Sequence, residues 1–198
     1  MNIGLYFGSF NPIHIGHLII ANHIAHNSTL QQVWLVVSPH NPLKPTSSLL
    51  NEYHRLHLVN IAIEGNLHLK TCDIELQLPK PSYTIDTLTY LKEKYPTYQF
   101  SIIIGSDSLQ NLHKWKNYET LIANYPFIVY ERPNYPINAS LTIKNNQLNQ
   151  LTVVKAPLLE VSATYIRQLI KEGKIHSTTY LLPEQVLAEI EKNNYYKK

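Results

Sequence analysis

Short apolar runs alternate along the chain with longer segments of helical period. The runs are rich in β-branched and aromatic residues and end at turn-forming residues, which predicts buried strands. These predicted strands cover residues 2–8, 33–38, 99–105, 126–130 and 151–155. Apolar positions three and four apart predict amphipathic helices in the segments between and after them. The predicted helices cover residues 15–26, 52–64, 84–95, 163–172 and 183–194.

Strands that alternate with helices predict βαβ units joined by right-handed crossovers. We therefore expect an α/β fold, with a doubly wound, mostly parallel, Rossmann-like sheet of five or six strands and helices on both faces. A length of 198 residues fits one domain, 1–198, whose C-terminal helical part (about 160–198) packs on the sheet. Residues 133–150, rich in Asn and Pro, are expected to form a surface excursion. Ligands of such sheets bind beyond the carboxyl ends of the strands.

Composition narrows the class of protein. Seventeen Lys and Arg against fourteen Asp and Glu give a net charge of +3 without a dense basic run, which disfavours a nucleic-acid binder. Cys72 is the single cysteine, so an internal disulfide is excluded, a reducing compartment is indicated, and the residue is expected to be packed. No stretch approaches the roughly twenty apolar residues needed to cross a bilayer, and the N-terminus lacks a signal-peptide pattern. We expect a cytoplasmic protein that binds neither membrane nor nucleic acid.

The segment GSFNPIHIGH, residues 8–17, follows the first predicted strand and opens the first predicted helix. It is neither a dinucleotide fingerprint nor a P-loop. Gly8 permits a close backbone approach, so the N–H groups of Ser9 and Phe10 can face a phosphate. The segment therefore predicts a phosphate site of another kind.

Two histidines, His14 and His17, flank Gly16 in the first turn of that helix. The free N–H groups and the positive dipole end of the turn favour an anion, and a neutral imidazole still donates through one N–H. The alternative is a pair of surface or satisfied core histidines. A zinc site is disfavoured because the segment holds no Asp, Glu or Cys, and we predict no metal site.

A second pattern, Ser-x-Thr-x-x-Arg, stands near the other end of the chain as Ser162, Thr164 and Arg167. With HxGH before it, this pair of motifs resembles the HxGH nucleotidyltransferase superfamily, whose members join a nucleoside triphosphate to a phosphorylated partner and release pyrophosphate. The interior segments SPHNPLK, PSYTIDTL, IIGSDSL and VYERP, in this order, are similar to those of the bacterial nicotinate-nucleotide adenylyltransferases. The resemblance runs from residue 3 to about residue 190.

Two small departures from that family are visible. Ser9 and Asn11 stand where many members have Thr and Asp. Ser9 keeps the hydroxyl group and Asn11 keeps the turn propensity, so neither changes the expected reaction.

The resemblance implies transfer of AMP from ATP to nicotinate mononucleotide, giving deamido-NAD and pyrophosphate in NAD biosynthesis. It implies that the catalytic residues are His14, His17 and Arg167. The residues expected to bind ATP are Gly8, Ser9, Phe10, Gly16, Gly105, Asp107, Ser162 and Thr164. The residues expected to bind the second substrate are Lys44, Tyr83, Thr84, Asp86, Trp115 and Arg132.

Residue chemistry supports parts of this assignment. Ser162 fits a helix N-cap, with Val161 and Ile166 as the hydrophobic staple around it, and can also bind phosphate. Arg167 can grip the outer phosphates with two hydrogen bonds, which Lys cannot reproduce. Asp107 can accept from ribose hydroxyls, although a helix N-cap is the rival interpretation.

The second-substrate residues each have a plainer alternative. Tyr83 and Trp115 offer aromatic faces for a pyridine ring, and Trp115 fits the core equally well. Thr84 and Asp86 stand at a helix start, whose free N–H groups suit a carboxylate. Lys44 can bridge the phosphates of both substrates or be a solvated lysine, and Arg132 can bind an anion or form a surface ion pair.

A phosphate monoester is already ionised at neutral pH, so it attacks the α-phosphorus of ATP without a base. Catalysis then consists of holding two anions in line and stabilising the leaving pyrophosphate. Mg²⁺ is expected to arrive bound to ATP. Pantetheine-phosphate adenylyltransferase and a non-catalytic nucleotide-binding protein of the same fold are the alternative functions, and a homo-oligomer stays open.

Overall fold

Six parallel strands form one sheet within residues 1–40, 49–137 and 150–197, which are the residues that the structure, a computed structural model, describes. The strands are β1 Asn2–Gly8, β2 Gln32–Val37, β3 Leu69–Cys72, β4 Gln99–Gly105, β5 Phe127–Tyr130 and β6 Leu151–Val154. Their order in the sheet is β3-β2-β1-β4-β5-β6, and all neighbours are parallel. The predicted α/β fold with a parallel, doubly wound sheet is confirmed.

Helices connect the strands and cover both faces of the sheet. They are α1 Ile15–His26, α2 Glu52–Ala62, α3 Ile74–Gln77, α4 Thr84–Lys94, α5 Ser106–Gln110, α6 Tyr118–Asn124, α7 Ala163–Lys171 and α8 Glu184–Asn193, with short 3-10 turns at Leu112–Lys114 and Ile175–Thr178. The five helices predicted from the sequence are all present, and their ends agree within two residues. Within the described ranges, none of the helices is long and apolar enough to span a membrane.

The sequence pattern missed β3, α3, α5 and α6. β3 is four residues long and only Leu69 and Cys72 are buried in it, so its apolar signal is too short to stand out. Cys72 is packed, as predicted, and burial raises the pKa of its thiol to about 11.

Alternate residues of each central strand enter two separate cores. In β2, Val33 and Leu35 pack with α1, α2, α7 and α8, whereas Trp34 and Val36 pack with α4, α5 and α6. Burial on both faces explains why the strands appear in the sequence as nearly continuous apolar runs.

The assignment of residues 1–198 to a single domain stays a prediction, and residues 138–149 of the expected surface excursion lie outside the described residues.

The strand order reverses between β1 and β4, which places a crevice at the carboxyl ends of these two strands. Tyr6 is paired with Ile103, so Gly8 and Gly105 end neighbouring strands. Because all strands run the same way, the helices that follow them begin at this same edge. The two sequence motifs are therefore brought to one edge of the sheet.

Candidate active site

The imidazoles of His14 and His17 stack on each other at this edge. Their ring centres are 3.7 Å apart and their planes differ by 24°. The carbonyl of His14 accepts from the amide of His17 at 3.0 Å, so both residues belong to the turn that opens α1. The ring of Phe10 meets that of His17 edge-on at 5.1 Å between centres.

His14 is a buried base in this arrangement. It is 4% exposed, and its Nδ1 atom has no hydrogen-bond partner among the described residues. Burial, followed by the positive charge of Arg132, lowers the pKa of His14 to about 4. At neutral pH the side chain is therefore an uncharged donor. The positive end of the α1 dipole also disfavours a charged imidazole at this position, in the same direction as burial.

The depressed pKa predicts an acid-sensitive fold. The unfolded chain takes up a proton on His14 as the pH falls below about 6.5, whereas the folded chain does so only near pH 4, so the free energy of unfolding decreases between these values. This group alone contributes about 3 kcal/mol of that decrease, since a tenfold difference in proton affinity corresponds to about 1.36 kcal/mol. Urea unfolding of the wild type and a His14→Asn variant at several pH values measures it, and identical pH slopes for the two proteins would refute it.

Glycines in the first motif leave room for the protein's own rings. A Cβ atom on Gly16 would lie 3.1 Å from Cε1 and Nδ1 of His14, and one on Gly8 would lie 2.8 Å from Cζ of Phe10. From the sequence alone, Gly8 was expected to allow the close approach of a ligand. In the structure the glycines also leave space for the His14 and Phe10 rings, and the approach of a phosphate stays a prediction.

The second motif opens α7 and reaches the first one. Ser162 is the N-cap of α7, as predicted, because its Oγ accepts from the amide of Tyr165 at 3.2 Å. Arg167 donates from Nη1 to the carbonyl of Asn11 at 2.8 Å and from Nη2 to Oγ1 of Thr164 at 3.3 Å. The two motifs, from opposite ends of the chain, therefore meet directly.

Asp107 and Arg132 face each other at the ends of β4 and β5. Nε of Arg132 lies 3.9 Å from Oδ1 of Asp107, and the amide of Arg132 donates to Oγ of Ser106 at 2.9 Å. A Cβ atom on Gly105 would lie 2.5 Å from Oδ1 of Asp107 and 2.7 Å from Cδ of Arg132, so any larger residue there would displace these two side chains. The rival interpretation of Asp107 as a helix N-cap is wrong, since Gly105 is the N-cap residue of α5 and no side chain caps that helix.

Two buried tyrosines, which the sequence analysis did not single out, support this pair. The hydroxyl groups of Tyr6 and Tyr130 are 3.1 Å apart, and burial raises the pKa of both. The positive charge of Arg132 opposes the effect of burial on the pKa of Tyr130, and the ring of Tyr6 meets that of His17 edge-on at 6.3 Å. A tyrosine hydroxyl within a buried, mostly apolar strand was the available signal.

Arg55 is a second residue that the sequence analysis missed. Its side chain is fully buried, and burial lowers the pKa of its guanidinium. It donates to four loop carbonyls, those of Ser9, Ser38, Pro39 (3.0 Å) and Leu50 (2.8 Å). The loops after β1 and β2 are thus joined through one cation. An arginine at helical spacing with the buried Leu58 and Val59 was a detectable signal.

Three of the predicted second-substrate residues, Tyr83, Thr84 and Asp86, lie together at the start of α4, whereas Arg132 lies beside Asp107. Tyr83 is the N-cap residue of α4 and no side chain caps this helix. Lys116 binds Asp86 with Nζ 2.8 Å from Oδ2, and its Nζ lies 4.7 Å from the ring centre of Tyr83. Asp86 therefore has a cationic partner that the sequence analysis did not anticipate.

A cavity of about 450 Å³ adjoins this cluster and is lined by residues 78–83, Asp86 and Lys116. Thr84 begins α4, and Trp115 is half-buried against the same core cluster as Tyr83. Trp115 therefore packs partly against the core, as the alternative interpretation of this residue expected. Lys44 lies outside the described residues.

Comparisons with known proteins agree on one family. A family model described as cytidylyltransferase-like matches residues 5–169. A protein of Flavobacterium psychrophilum named as a probable nicotinate-nucleotide adenylyltransferase is 53% identical over 200 residues, covering 100% of both chains. A protein of Cytophaga hutchinsonii with the same name is 49% identical over 196 residues, covering 99% of this chain and 98% of its own.

Solved structures show the same fold. Nicotinic acid mononucleotide adenylyltransferase of Plasmodium falciparum, complexed with NaAD, superimposes with a TM-score of 0.82 at 24% identity, covering 98% of this chain and 97% of the other. A Vibrio parahaemolyticus protein described as a putative nicotinate-nucleotide adenylyltransferase gives a TM-score of 0.71 at 20% identity, covering 100% of this chain and 96% of the other. At this level of identity the two likenesses concern the fold.

Proposed function

Because the chain belongs to the cytidylyltransferase-like family and matches nicotinate-nucleotide adenylyltransferases over its whole length, we infer that it transfers AMP from ATP to nicotinate mononucleotide. The products are deamido-NAD and pyrophosphate, and the reaction belongs to NAD biosynthesis. ATP is then a co-substrate of the enzyme, and the second substrate is a small phosphorylated nucleotide.

One observation carries this proposal. Arg167, near the end of the chain, donates to the carbonyl of Asn11 at 2.8 Å, three residues before the stacked pair of His14 and His17. Imidazoles, a guanidinium and a helix N-terminus thus gather at one edge of the sheet. Each of these groups prefers phosphate oxygens, and together they suit a triphosphate better than any single anion.

The reaction needs placement of the substrates more than proton transfer. A phosphate oxygen of nicotinate mononucleotide attacks the α-phosphorus of ATP, the new P–O bond forms, and the bond from the α-phosphorus to the bridging oxygen of pyrophosphate breaks in line with it. Negative charge accumulates on the leaving pyrophosphate and on the α-phosphate oxygens. Fixed donors that face these oxygens lower the barrier, since they are already oriented before the reaction.

In this scheme His17 binds the α-phosphate and His14 binds the outer phosphates. His14 acts as a neutral donor at first, and an incoming polyphosphate favours its protonated form. Arg167 holds the β- and γ-phosphates, with Thr164 accepting from its Nη2 and so orienting it. The hydroxyl of Ser162 accepts from an amide as N-cap, which leaves its proton for a phosphate oxygen.

The amides of Ser9 and Phe10 complete the phosphate site in this proposal, and Gly8, Gly16 and Gly105 leave room around it. Asp107 accepts from the ribose of ATP. Its partner Arg132 keeps a positive charge beside it, available to the phosphate of the second substrate.

The pyridine ring of the second substrate is assigned to Tyr83 and Trp115. Its carboxylate is assigned to the uncapped N-terminus of α4 at Thr84. Asp86 would repel the carboxylate of the substrate, but Lys116 pairs with Asp86 and offsets its negative charge. Lys44 is assigned to the phosphates of both substrates on sequence grounds alone.

Magnesium is proposed to arrive on ATP. Mg²⁺ prefers oxygen ligands, whereas the side chains around the stacked histidines are imidazoles and guanidinium groups, and the carboxylate of Asp107 is turned to Arg132. The donor set does not fit a protein-held magnesium, so phosphate oxygens and water are its expected ligands.

Pyrophosphate release tests the function. Purified protein is incubated with ATP, Mg²⁺ and nicotinate mononucleotide, nicotinamide mononucleotide or phosphopantetheine. We expect pyrophosphate and deamido-NAD with the first acceptor and at least ~10-fold less product with the amide, which lacks the carboxylate that the N-terminus of α4 prefers. Turnover of phosphopantetheine alone would replace the proposal by the pantetheine-phosphate alternative, and no turnover would support a binding protein.

A further inference from the structure

Glu75 is a buried acidic residue on the short helix α3, outside the set of residues assigned above. It is 2% exposed, although it follows an edge strand. Its Oε2 accepts from Oγ of Ser82 at 2.7 Å, and its Oε1 accepts from Oγ1 of Thr87 at 2.9 Å. Both oxygens of the carboxyl group are therefore engaged by hydroxyl groups of one neighbouring segment.

These two hydrogen bonds bracket the start of α4. Ser82 directly precedes Tyr83, and Thr87 lies one turn inside the helix, where its Oγ1 is also 3.2 Å from the carbonyl of Tyr83. Ser82 is 8% exposed and Thr87 is fully buried, so water does not compete for these bonds. The first turn of α4 is thus held at both ends from within the protein.

The same turn carries three of the residues assigned to the second substrate. Tyr83, Thr84 and Asp86 all lie between the two anchoring hydroxyl groups, and the segment before them lines the cavity of about 450 Å³. Glu75 is not among the residues that line this cavity, so it would act on the cavity through the segment that it holds. The direction of the backbone N–H groups at the start of α4 depends on where this turn is held.

We propose that Glu75 is a positioning residue that holds the first turn of α4 for the pyridine nucleotide and leaves the ATP site unaffected. This inference rests on the proposed function. The contacts of the ATP site come from α1, α7 and the ends of β4 and β5, whereas both hydrogen bonds of Glu75 run to residues 82–87. Loss of these bonds should therefore raise KM for nicotinate mononucleotide and leave KM for ATP unchanged.

The experiment measures KM for nicotinate mononucleotide and for ATP in Glu75→Ala, Glu75→Gln and Thr87→Val variants. Thr87→Val removes one anchoring hydroxyl at nearly constant volume. We expect Glu75→Ala to raise KM for nicotinate mononucleotide at least ~10-fold and Thr87→Val to raise it about threefold, as the loss of buried hydrogen bonds suggests. Glu75→Gln keeps one oxygen acceptor, so its KM for nicotinate mononucleotide should lie between those of Glu75→Ala and the wild type. KM for ATP should change less than about twofold in all three variants.

Thr89→Val is the matched control. Thr89 stands on the same helix, but its Oγ1 donates only to the carbonyl of Ile85 at 2.9 Å and does not contact Glu75. We expect wild-type values for both KM in this variant. Should Glu75→Ala fail to fold, Thr87→Val against Thr89→Val decides the question.

Two results would overturn the role of Glu75 in an active wild-type enzyme. One is an equal rise of both KM values, and the other is a lower melting temperature with both KM values unchanged. A wild-type protein that does not turn over nicotinate mononucleotide would instead overturn the proposed function, together with the role of Glu75 that rests on it. The two failures are therefore distinguished by the wild-type reaction alone.

Discussion

An Arg167→Ala variant is expected to release pyrophosphate from ATP and nicotinate mononucleotide at least ~100-fold more slowly than the wild type, as enzymes that lose an oxyanion donor do. The guanidinium in this assignment stabilises charge that grows on the leaving pyrophosphate, so its removal raises the barrier itself. A His17→Ala variant is expected to lose a comparable factor, since His17 is assigned to the α-phosphate. Steady-state kinetics with both substrates saturating measures the two effects on kcat.

Charge and geometry are separated by a third variant. Arg167→Lys keeps the positive charge but not the planar fork, and we expect it to remain at least ~10-fold below the wild type. Lys171→Ala removes an exposed cation from the last turn of the same helix and serves as the control, with an unchanged rate. A full rate in Arg167→Ala would separate the second motif from the chemistry and leave its contact with Asn11 a structural one.

The fold was largely predictable from the sequence because its strands are buried on both faces. Central strands such as β1 and β4 are mostly apolar runs closed by glycine, and their period differs clearly from that of the amphipathic helices. The edge strand β3 was not predictable in this way, because Lys70 and Thr71 separate its two buried residues. The short helices α5 and α6 have one or two turns, too few for a periodic signal.

The site was predictable where its residues are close in sequence. His14, Gly16 and His17 share one helical turn, and Ser162 caps the helix that carries Arg167, so local spacing identifies both groups. What could not be predicted are contacts between distant segments. Lys116 meets Asp86 across 30 residues, and neither residue type indicates the other.

The three arginines differ in burial, and this difference decides which groups each of them can bind. Arg55, Arg132 and Arg167 are the only arginines in the sequence, and all three lie near the carboxyl edge of the sheet. Arg132 and Arg167 are partly exposed, which leaves donors for a ligand. Arg55 is fully enclosed, so its donors are all available to the backbone.

The backbone loops of the site depend on that enclosed arginine. Arg55→Met removes the donors to the carbonyls of Ser9, Ser38, Pro39 and Leu50, and a buried acceptor left without a partner costs about 1 to 3 kcal/mol. Because water can enter and satisfy some of the four groups, we expect the free energy of unfolding to fall by about 3 kcal/mol or more. Urea unfolding measures the loss.

Activity should fall together with stability in this variant, and in a particular way. Ser9 belongs to the segment that we propose binds the phosphates, so its displacement should weaken the proposed ATP site as well as the fold, and KM for ATP should rise in the fraction that remains folded. Arg55→Lys retains the charge but reaches fewer carbonyls with its single ammonium, and it should lie between Arg55→Met and the wild type in both properties. The exposed neighbour His57 provides the control, since its replacement by Ala removes only a 3.5 Å contact with Glu189. A stable Arg55→Met protein with an unchanged KM for ATP would mean that the loops after β1 and β2 hold their positions without the hydrogen bonds of Arg55.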